Sequence, residues 1–150
     1  MKKKIDILTI DLDSNSWEDA LRKMSRILYE KGYVKDSYEE ALIKREKVYP
    51  TGLEIPDRVN VAIPHADVEH VKKQALFIGI PEKPIRFQRM DDPDAPVDVG
   101  LILLLVIKDP KGYVKFLSKL TELFQDEMFT RFTKDRKIAE LTNLIRERAL

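Results

Sequence analysis

Residues 99–107 read VGLILLLVI, a run without any charged or hydrogen-bonding side chain. A strand that exposes one face to water alternates apolar and polar residues, whereas a strand covered on both faces is apolar throughout. We therefore expect this segment to be the central strand of a sheet whose two faces are both covered. Three further segments have the composition of strands: 5–10 (IDILTI), 59–63 (VNVAI) and 75–80 (ALFIGI).

Helical patterns fill the sequence between the first strand and the second. Ser16 is a suitable N-cap for a helix that Gly32 closes. Ser37 and Glu40 match the S-x-x-E capping box, in which each side chain binds an unpaired backbone N–H group of the other residue. Pro50 prevents this second helix from continuing beyond the residue before it.

The C-terminal third of the chain is also predicted to be helical. Apolar residues recur at helical spacing after Gly112, and a final helix is expected from Thr133. The proline-rich segment MDDPDAP (90–96) is interpreted as an acidic surface loop. Helices at both ends with strands between them indicate an α/β sandwich around a mixed sheet. With no repeat or linker in its 150 residues, the chain is predicted to form a single domain over 1–150.

The composition disfavours several classes of partner. Lys and Arg total 27 against 26 for Asp and Glu, and a net charge of +1 provides no field for binding nucleic acid or an anionic membrane. The absence of cysteine excludes disulfides, thiolate catalysis and cysteine zinc sites. The longest apolar stretch, 101–107, is far shorter than the roughly 20 residues that span a bilayer. These features predict a cytoplasmic protein with no direct membrane insertion and no nucleic-acid partner.

Both histidines of the chain lie in the stretch VAIPHADVEH, residues 61–70. Pro64 has no N–H group to give to a sheet, so the strand is expected to stop there and leave His65 exposed at its carboxyl end. A neutral imidazole at that edge can act as a nucleophile near pH 7, including on phosphorus. A turn residue or a hydrogen-bonding residue at the edge of the core remains the alternative for His65. His70 is interpreted as a solvated side chain or as a residue that orients a neighbour.

Other chemistries find less support in the sequence. A zinc site built from residues 65–70 is disfavoured because the H-E-x-x-H spacing is absent and ligands so close in sequence rarely converge tetrahedrally. The five glycines form neither a P-loop nor a G-x-G-x-x-G motif. We therefore expect no metal and no nucleotide cofactor.

Arg45 and Thr51 lie shortly before the strand that leads to His65. A guanidinium presents a planar fork of donors that matches phosphate oxygens, and a hydroxyl adds another donor. Together with a nucleophile, such a clamp meets the minimum requirement for phosphoryl transfer, in which catalysis is mostly positioning and charge stabilisation. A surface salt bridge between Arg45 and Glu46 or Glu40 is the alternative.

The chain resembles the enzyme IIA domain of the fructose and mannitol type (type 2) in the bacterial sugar phosphotransferase system. The residues that carry the resemblance cover nearly the whole chain. Two segments are similar to the galactitol-like branch of the family: the EHV after the first histidine, and LTELFQDEMF. The matching segments are REKVYPTGL (45–53), VAIPHAD (61–67), PIRF (84–87), MDDPDAPVDVGLILLLV (90–106) and FLSKLTELFQDEMF (116–129).

The resemblance implies a mixed five-stranded sheet with helices on both faces, and a phosphotransferase without a cofactor. It implies that His65 accepts a phosphoryl group from the small carrier HPr, through Nε2, and passes it to a IIB component that works with a membrane IIC component. It also implies that Arg45 steadies the phosphate, while Glu46 and Thr51 match neighbouring positions. A regulatory protein of the same fold, whose His65 phosphorylation controls a partner protein, is the alternative.

One feature of the mannitol-type members is missing from this chain. They carry a second histidine early in the helix after the central strand, where this sequence reads DPKGYVKFL (109–117). Tyr113, Lys115 or, from the other side, His70 is the expected substitute. We also expect Asp67 to point away from a phosphoryl group on His65 and an exposed apolar rim to surround the site.

Overall fold

A five-stranded mixed sheet is the main element of the computed structural model, which describes residues 5–150. Within that range no helix is long and apolar enough to cross a membrane. The predicted α/β class is confirmed. The strands are β1 (Asp6–Leu12), β2 (Gly52–Leu53), β3 (Val61–Ala62), β4 (Ala75–Pro81), β5 (Ile85–Gln88), β6 (Pro96–Val99) and β7 (Leu101–Val106), and the helices are α1 (Trp17–Glu30), α2 (Tyr38–Val48), α3 (Tyr113–Leu123), α4 (Glu127–Lys134) and α5 (Ile138–Ala149).

The apolar strand β7 lies at the centre of the sheet, whose order is β1-β4-β7-β3-β2. It pairs antiparallel with β4 on one side and parallel with β3 on the other. Every residue of β7 is buried, as expected for a strand covered on both faces. The predicted central position of this strand is confirmed.

Helices cover both faces of the sheet and form two separate hydrophobic cores. Alternate residues of β7, such as Ile102 and Leu104, face the first core, which α1, α2 and the β5–β6 hairpin close. Leu103 and Leu105 face the second core, which α3, α4 and α5 close. The alternation follows from the period of two along a strand, and it confirms the predicted helix layers on both faces.

The first two helices begin at the predicted positions and Gly32 closes α1 as predicted, but only one of the two predicted N-terminal caps is present. The Ser16 Oγ atom accepts a hydrogen bond from the Asp19 backbone N–H group at 3.1 Å. The capping box at the start of α2 is wrong: Ser37 Oγ makes no cap bond and instead lies 2.8 Å from His70 Nδ1. Glu40 is bound by Arg22 at 2.8 Å. The helix still ends at Val48, just before the proline.

A β-hairpin that the sequence does not predict lies between β4 and β7, and the predicted acidic surface loop is its turn. Strands β5 and β6 pair antiparallel, and the acidic segment that includes Asp91 and Asp92 is the turn between them. The hairpin packs closely on Gly52 of β2, where a Cβ atom would meet the Gln88 carbonyl oxygen at 2.7 Å. Strand β2 is not among the predicted strands, because the sequence analysis identifies no strand between the second helix and the segment 59–63.

Two predicted boundaries are wrong. The final helix does not start at Thr133, because α4 continues to Lys134 and α5 begins only at Ile138. The break lies at Arg136, whose backbone has a φ of 55° that a helix does not accommodate. The strand predicted over 59–63 is reduced to β3.

Candidate functional site

His65 lies at the carboxyl end of β3, beside the end of β7. The sequence predicts that strand pairing stops at Pro64. This is wrong, because the Leu105 N–H group donates to the Pro64 carbonyl oxygen at 3.0 Å. His65 and Leu105 then form a parallel bridge. Proline lacks a donor but keeps its acceptor, so the chain continues along the sheet for one more step. As a result His65 is half-buried rather than fully exposed.

The His65 ring is oriented by a backbone carbonyl group two residues earlier. Its Nδ1 atom lies 3.2 Å from the Ile63 carbonyl oxygen. A carbonyl oxygen only accepts hydrogen bonds, so Nδ1 carries the proton of the neutral ring. Nε2 then holds the unshared electron pair, and among residues 5–150 no hydrogen bond to it is formed. A neutral imidazole in this tautomer can attack an electrophile through Nε2.

The surroundings of His65 favour its neutral form. Burial lowers the pKa of His65 below its ordinary value of 6.5, and the nearby positive charge of Arg45 lowers it as well. The hydrogen bond to Ile63 and the negative charge of Asp67 act in the opposite direction. The net effect keeps the nucleophilic form dominant at neutral pH.

The titration of His65 can be followed by NMR on the ring protons. We expect the wild-type pKa to lie below 6.5, to rise in Arg45→Gln because a repelling cation is removed, and to fall further in Asp67→Asn. A His70→Asn variant assigns the two sets of ring signals. A pKa of His65 at or above 6.5, or a shift of the same sign in both variants, would contradict this picture of the site.

Arg45 reaches the site from the last turn of α2. Its Nη1 atom lies 3.6 Å from Asp67 Oδ1, and its Cζ atom lies 5.5 Å from the centre of the Tyr49 ring. The predicted alternatives, Glu46 and Glu40, are not its partners. The expectation that Asp67 points away from a phosphoryl group on His65 concerns the phosphorylated protein and stays a prediction; in the unphosphorylated state the Asp67 carboxylate faces the guanidinium.

Glu46 and Thr51 form a buried pair below Arg45. The Glu46 carboxylate accepts the Thr51 backbone N–H group through Oε2 and the Thr51 hydroxyl group through Oε1, both at 2.8 Å. Burial raises the pKa of Glu46 to about 7, although both hydrogen bonds from Thr51 favour the ionised form. The Thr51 carbonyl oxygen accepts the Ile63 N–H group at 3.3 Å. The pair therefore ties the end of α2 to the strand that carries His65.

Of the three candidates for the missing second histidine, the structure brings two to the site. Tyr113 begins α3 and lies close enough to Arg45 for that charge to lower its pKa, against the larger raising effect of burial. His70 lies in the same groove as Arg45 and Asp67. Lys115 lies elsewhere, in the lining of a separate cavity of about 600 Å³ with Gln74 and Phe116.

A groove of about 290 Å³ opens beside the site and is here named the α2 groove. Val48 and Tyr49 on its rim are 59% and 64% exposed, and Val68 nearby is 41% exposed. Exposed side chains of this size form the apolar rim that the sequence analysis expects, of the kind that suits protein contacts. The α2 groove is lined by Ala41, Lys44, Arg45, Val48, Tyr49, Asp67 and His70.

The histidine and acidic side chains of residues 65–70 do not converge on one point. His65 binds a carbonyl group, Asp67 faces Arg45, and His70 binds Ser37. In the part of the chain that the structure describes, no three histidine or acidic side chains are grouped so that they could hold a metal ion.

Three side chains near the site were missed as partners by the sequence analysis. Asp67 faces Arg45, Tyr49 stacks under the same guanidinium, and Ser37 binds His70. The signal for Tyr49 was available, because it follows Arg45 by four residues at the end of a helix and this spacing brings side chains together. Nothing in the sequence indicates the pairing across 33 residues that joins Ser37 to His70.

The fold and the site together define an α/β domain that presents a half-buried, neutral histidine next to an arginine at the end of two parallel strands. Residues 2–148 match the family described as "Phosphoenolpyruvate-dependent sugar phosphotransferase system, EIIA 2". The chain belongs to this family, and the resemblance given above is confirmed.

Individual relatives agree with the family. The galactitol-specific EIIA component of the phosphotransferase system of Escherichia coli K12 is 33% identical over 99 residues, which cover 66% of this chain and 65% of that protein. Transcriptional regulator ManR of Bacillus subtilis is 26% identical over 121 residues, 79% of this chain and 17% of that protein. The solved complex of enzyme IIAMtl and phosphorylated enzyme IIBMtl from E. coli has the same fold, with a TM-score of 0.70, 21% identity and 95% coverage of both chains.

Proposed function

We propose that this protein is a phosphoryl carrier, the IIA component of a sugar phosphotransferase system, and that His65 carries the phosphoryl group on Nε2. The observation that carries the proposal is the hydrogen bond from Nδ1 to the Ile63 carbonyl oxygen, which leaves the Nε2 electron pair free. The pKa of His65, lowered mainly by burial, supports the same role because a protonated ring has no electron pair to donate. Membership of the EIIA 2 family supports it independently.

The neighbours of His65 take supporting roles in this proposal. Arg45 binds the phosphoryl oxygens with its planar fork of donors and offsets the charge of about −2 that phosphorylation adds. Glu46 and Thr51 hold the end of α2 in place, and so position Arg45. Tyr113 and His70 flank the site, whereas Lys115 is dropped from the proposed site because it lies in the other cavity.

The proposed partners are HPr as the donor and a IIB component as the acceptor, with IIC in the membrane. The exposed Val48 and Tyr49 side chains beside Arg45 offer an apolar surface on which either partner can dock transiently. The solved complex of the mannitol proteins supports the choice of a IIB partner, and the galactitol-specific relative makes galactitol the first sugar to test. The phosphoryl group arrives on HPr, so no cofactor is required.

The proposal predicts a defined labelling pattern. With labelled phosphoenolpyruvate, enzyme I and HPr, the wild type is expected to take up about one phosphoryl group per chain, and His65→Ala none. His70→Ala is expected to keep the label, because His70 is bound to Ser37 and is not the proposed acceptor, and it serves as the matched control. Undiminished label on His65→Ala, or no label on the wild type, would overturn the proposal.

A regulatory role is the second candidate, favoured by the partial match to the regulator ManR. In this role His65 is phosphorylated in the same way, but its charge controls binding of a partner protein. The two roles differ in what happens next: a transport component passes the label to a IIB protein, whereas a purely regulatory protein retains it until it returns to HPr.

A further inference from the structure

In the part of the chain that the structure describes, few contacts hold the guanidinium of Arg45, although it lies beside the proposed phosphate site. Within residues 5–150 its one ion pair is with Asp67, with 3.6 Å between Nη1 and Oδ1, which is beyond hydrogen-bond distance. The Nε atom is buried and has no hydrogen-bond partner among the described residues. Its Cζ atom lies 5.5 Å from the centre of the Tyr49 ring. The Arg45 side chain is 37% exposed, so its terminal Nη groups are available to a new anion, and Asp67 is the group that this anion must displace.

Asp67 and a phosphoryl group on His65 compete for the same cation. Asp67 follows His65 by two residues, and its charge already acts on the His65 ring. A phosphoryl group on Nε2 brings a second anion of about −2 into this space. The carboxylate then opposes it in two ways: it attracts Arg45 away from the phosphoryl oxygens, and it repels them directly.

We propose that Asp67 is a positioning residue that lowers the stability of phosphorylated His65 and so keeps its phosphoryl group transferable. The inference rests on the proposed phosphocarrier function. It adds to that function a residue that shifts the equilibrium of phosphoryl transfer between the partner and His65. An arginine without a competing carboxylate would hold the phosphoryl group more tightly and delay its departure. Asp67 prevents this without touching the reacting nitrogen.

Phosphoryl transfer from the donor to His65 requires no proton transfer. The Nε2 electron pair of His65 forms an N–P bond while the N–P bond of the donor phosphohistidine breaks, and the donor imidazole keeps the bonding electron pair. In delivery to the acceptor, the acceptor nucleophile forms the new bond to phosphorus while the N–P bond of His65 breaks, and the His65 ring keeps the bonding electron pair. The equilibrium therefore depends on how well each protein stabilises its phosphorylated ring.

The test is the equilibrium between phosphorylated HPr and this chain, measured for Asp67→Asn and Glu69→Gln. Both changes remove one negative charge from the same turn, but Glu69 lies beside His70 and not beside Arg45. We expect Asp67→Asn to shift the equilibrium toward the phosphorylated chain by about threefold to tenfold, the range of an exposed ion pair plus direct repulsion. Glu69→Gln is expected to remain within about twofold of the wild type.

A double-mutant cycle separates the two effects of Asp67. In an Arg45→Gln background, Asp67→Asn is expected to shift the equilibrium less, because the competition for Arg45 is gone and only the repulsion remains. Equal shifts in Asp67→Asn and Glu69→Gln, no shift in Asp67→Asn, or a shift toward HPr would overturn the inference.

A small-molecule phosphoryl donor makes it possible to test the role of Asp67 without HPr, and so independently of the proposed carrier function. Phosphoramidate can phosphorylate His65 as its own N–P bond breaks and ammonia leaves, and the half-life of the product is then measured. Label from phosphoramidate but none from HPr would refute the proposed carrier function, while a longer half-life in Asp67→Asn than in Glu69→Gln would still support the role of Asp67. Equal half-lives would refute it.

Discussion

Replacement of Arg45 by Gln is expected to slow phosphorylation of His65 by about 100-fold while the protein remains folded. The loss follows from the removal of a charged, forked donor aimed at the developing charge, since the loss of one such donor typically costs 10²–10³ in rate. The effect on stability is expected to stay below about 1 kcal/mol, because the only ion pair of Arg45 within residues 5–150 is a partly exposed one with Asp67. Initial rates of label uptake and thermal unfolding measure the two quantities.

Two further variants control this prediction. Arg45→Lys keeps the charge but not the fork and is expected to give an intermediate rate. Arg26→Gln removes an arginine that pairs with Glu39 on the outside of α1, and is expected to leave the transfer rate unchanged. Normal transfer combined with a large loss of thermal stability in Arg45→Gln would show that Arg45 has a structural role instead.

The second large effect is expected in the pH dependence of stability. Glu46 has a pKa of about 7 in the folded protein because it is buried, against 4.5 for an ordinary glutamate. Between these values the folded protein retains a proton that the unfolded chain has lost, so the free energy of unfolding falls as pH rises. From pH 4.5 to pH 8 the contribution of Glu46 is a loss of about 3 kcal/mol.

The measurement compares urea unfolding of the wild type and Glu46→Gln across this pH range. Gln is expected to abolish the decline, because it does not ionise and can still accept the Thr51 N–H group and donate to the Thr51 hydroxyl oxygen. Glu82→Gln, a change at an exposed position, serves as the matched control. Parallel curves for the wild type and Glu46→Gln would contradict the assignment of a raised pKa to this carboxyl group.

The sequence was sufficient to predict the class of fold, because burial imposes a readable pattern. An apolar run such as 101–106 is stable only between two covering layers, and the helical patterns on either side of it supply those layers. The Ser16 cap could be predicted for the same kind of reason, since its hydrogen bond spans only three residues. Local patterns therefore fixed the main layers of the protein.

Long-range pairings were beyond the reach of the sequence. The β5–β6 hairpin is short and rich in proline, and its packing on β2 depends on the close approach that Gly52 permits. Ser37 matches a capping box, yet its hydroxyl group is hydrogen-bonded to a histidine 33 residues away. In each case a tertiary contact outcompetes the local signal.

The candidate site also has features that the sequence predicts and features that only the folded structure shows. His65 and Arg45 could be proposed from their residue types and positions, because the chemistry of a nucleophile and a cation is carried by the side chains themselves. The tautomer of His65, the burial of Glu46 and the contact between Asp67 and Arg45 depend on folded geometry, and these features supply the detailed predictions.

The most direct test of the account is to locate the phosphorus atom in the phosphorylated protein. The chain is labelled with ¹⁵N in its histidine rings, phosphorylated through HPr and examined by NMR for coupling between ³¹P and each ring nitrogen. We predict coupling to Nε2 of His65, because Nδ1 is committed to the Ile63 carbonyl group. Phosphorus on Nδ1 of His65, on His70 or on no histidine would contradict the account.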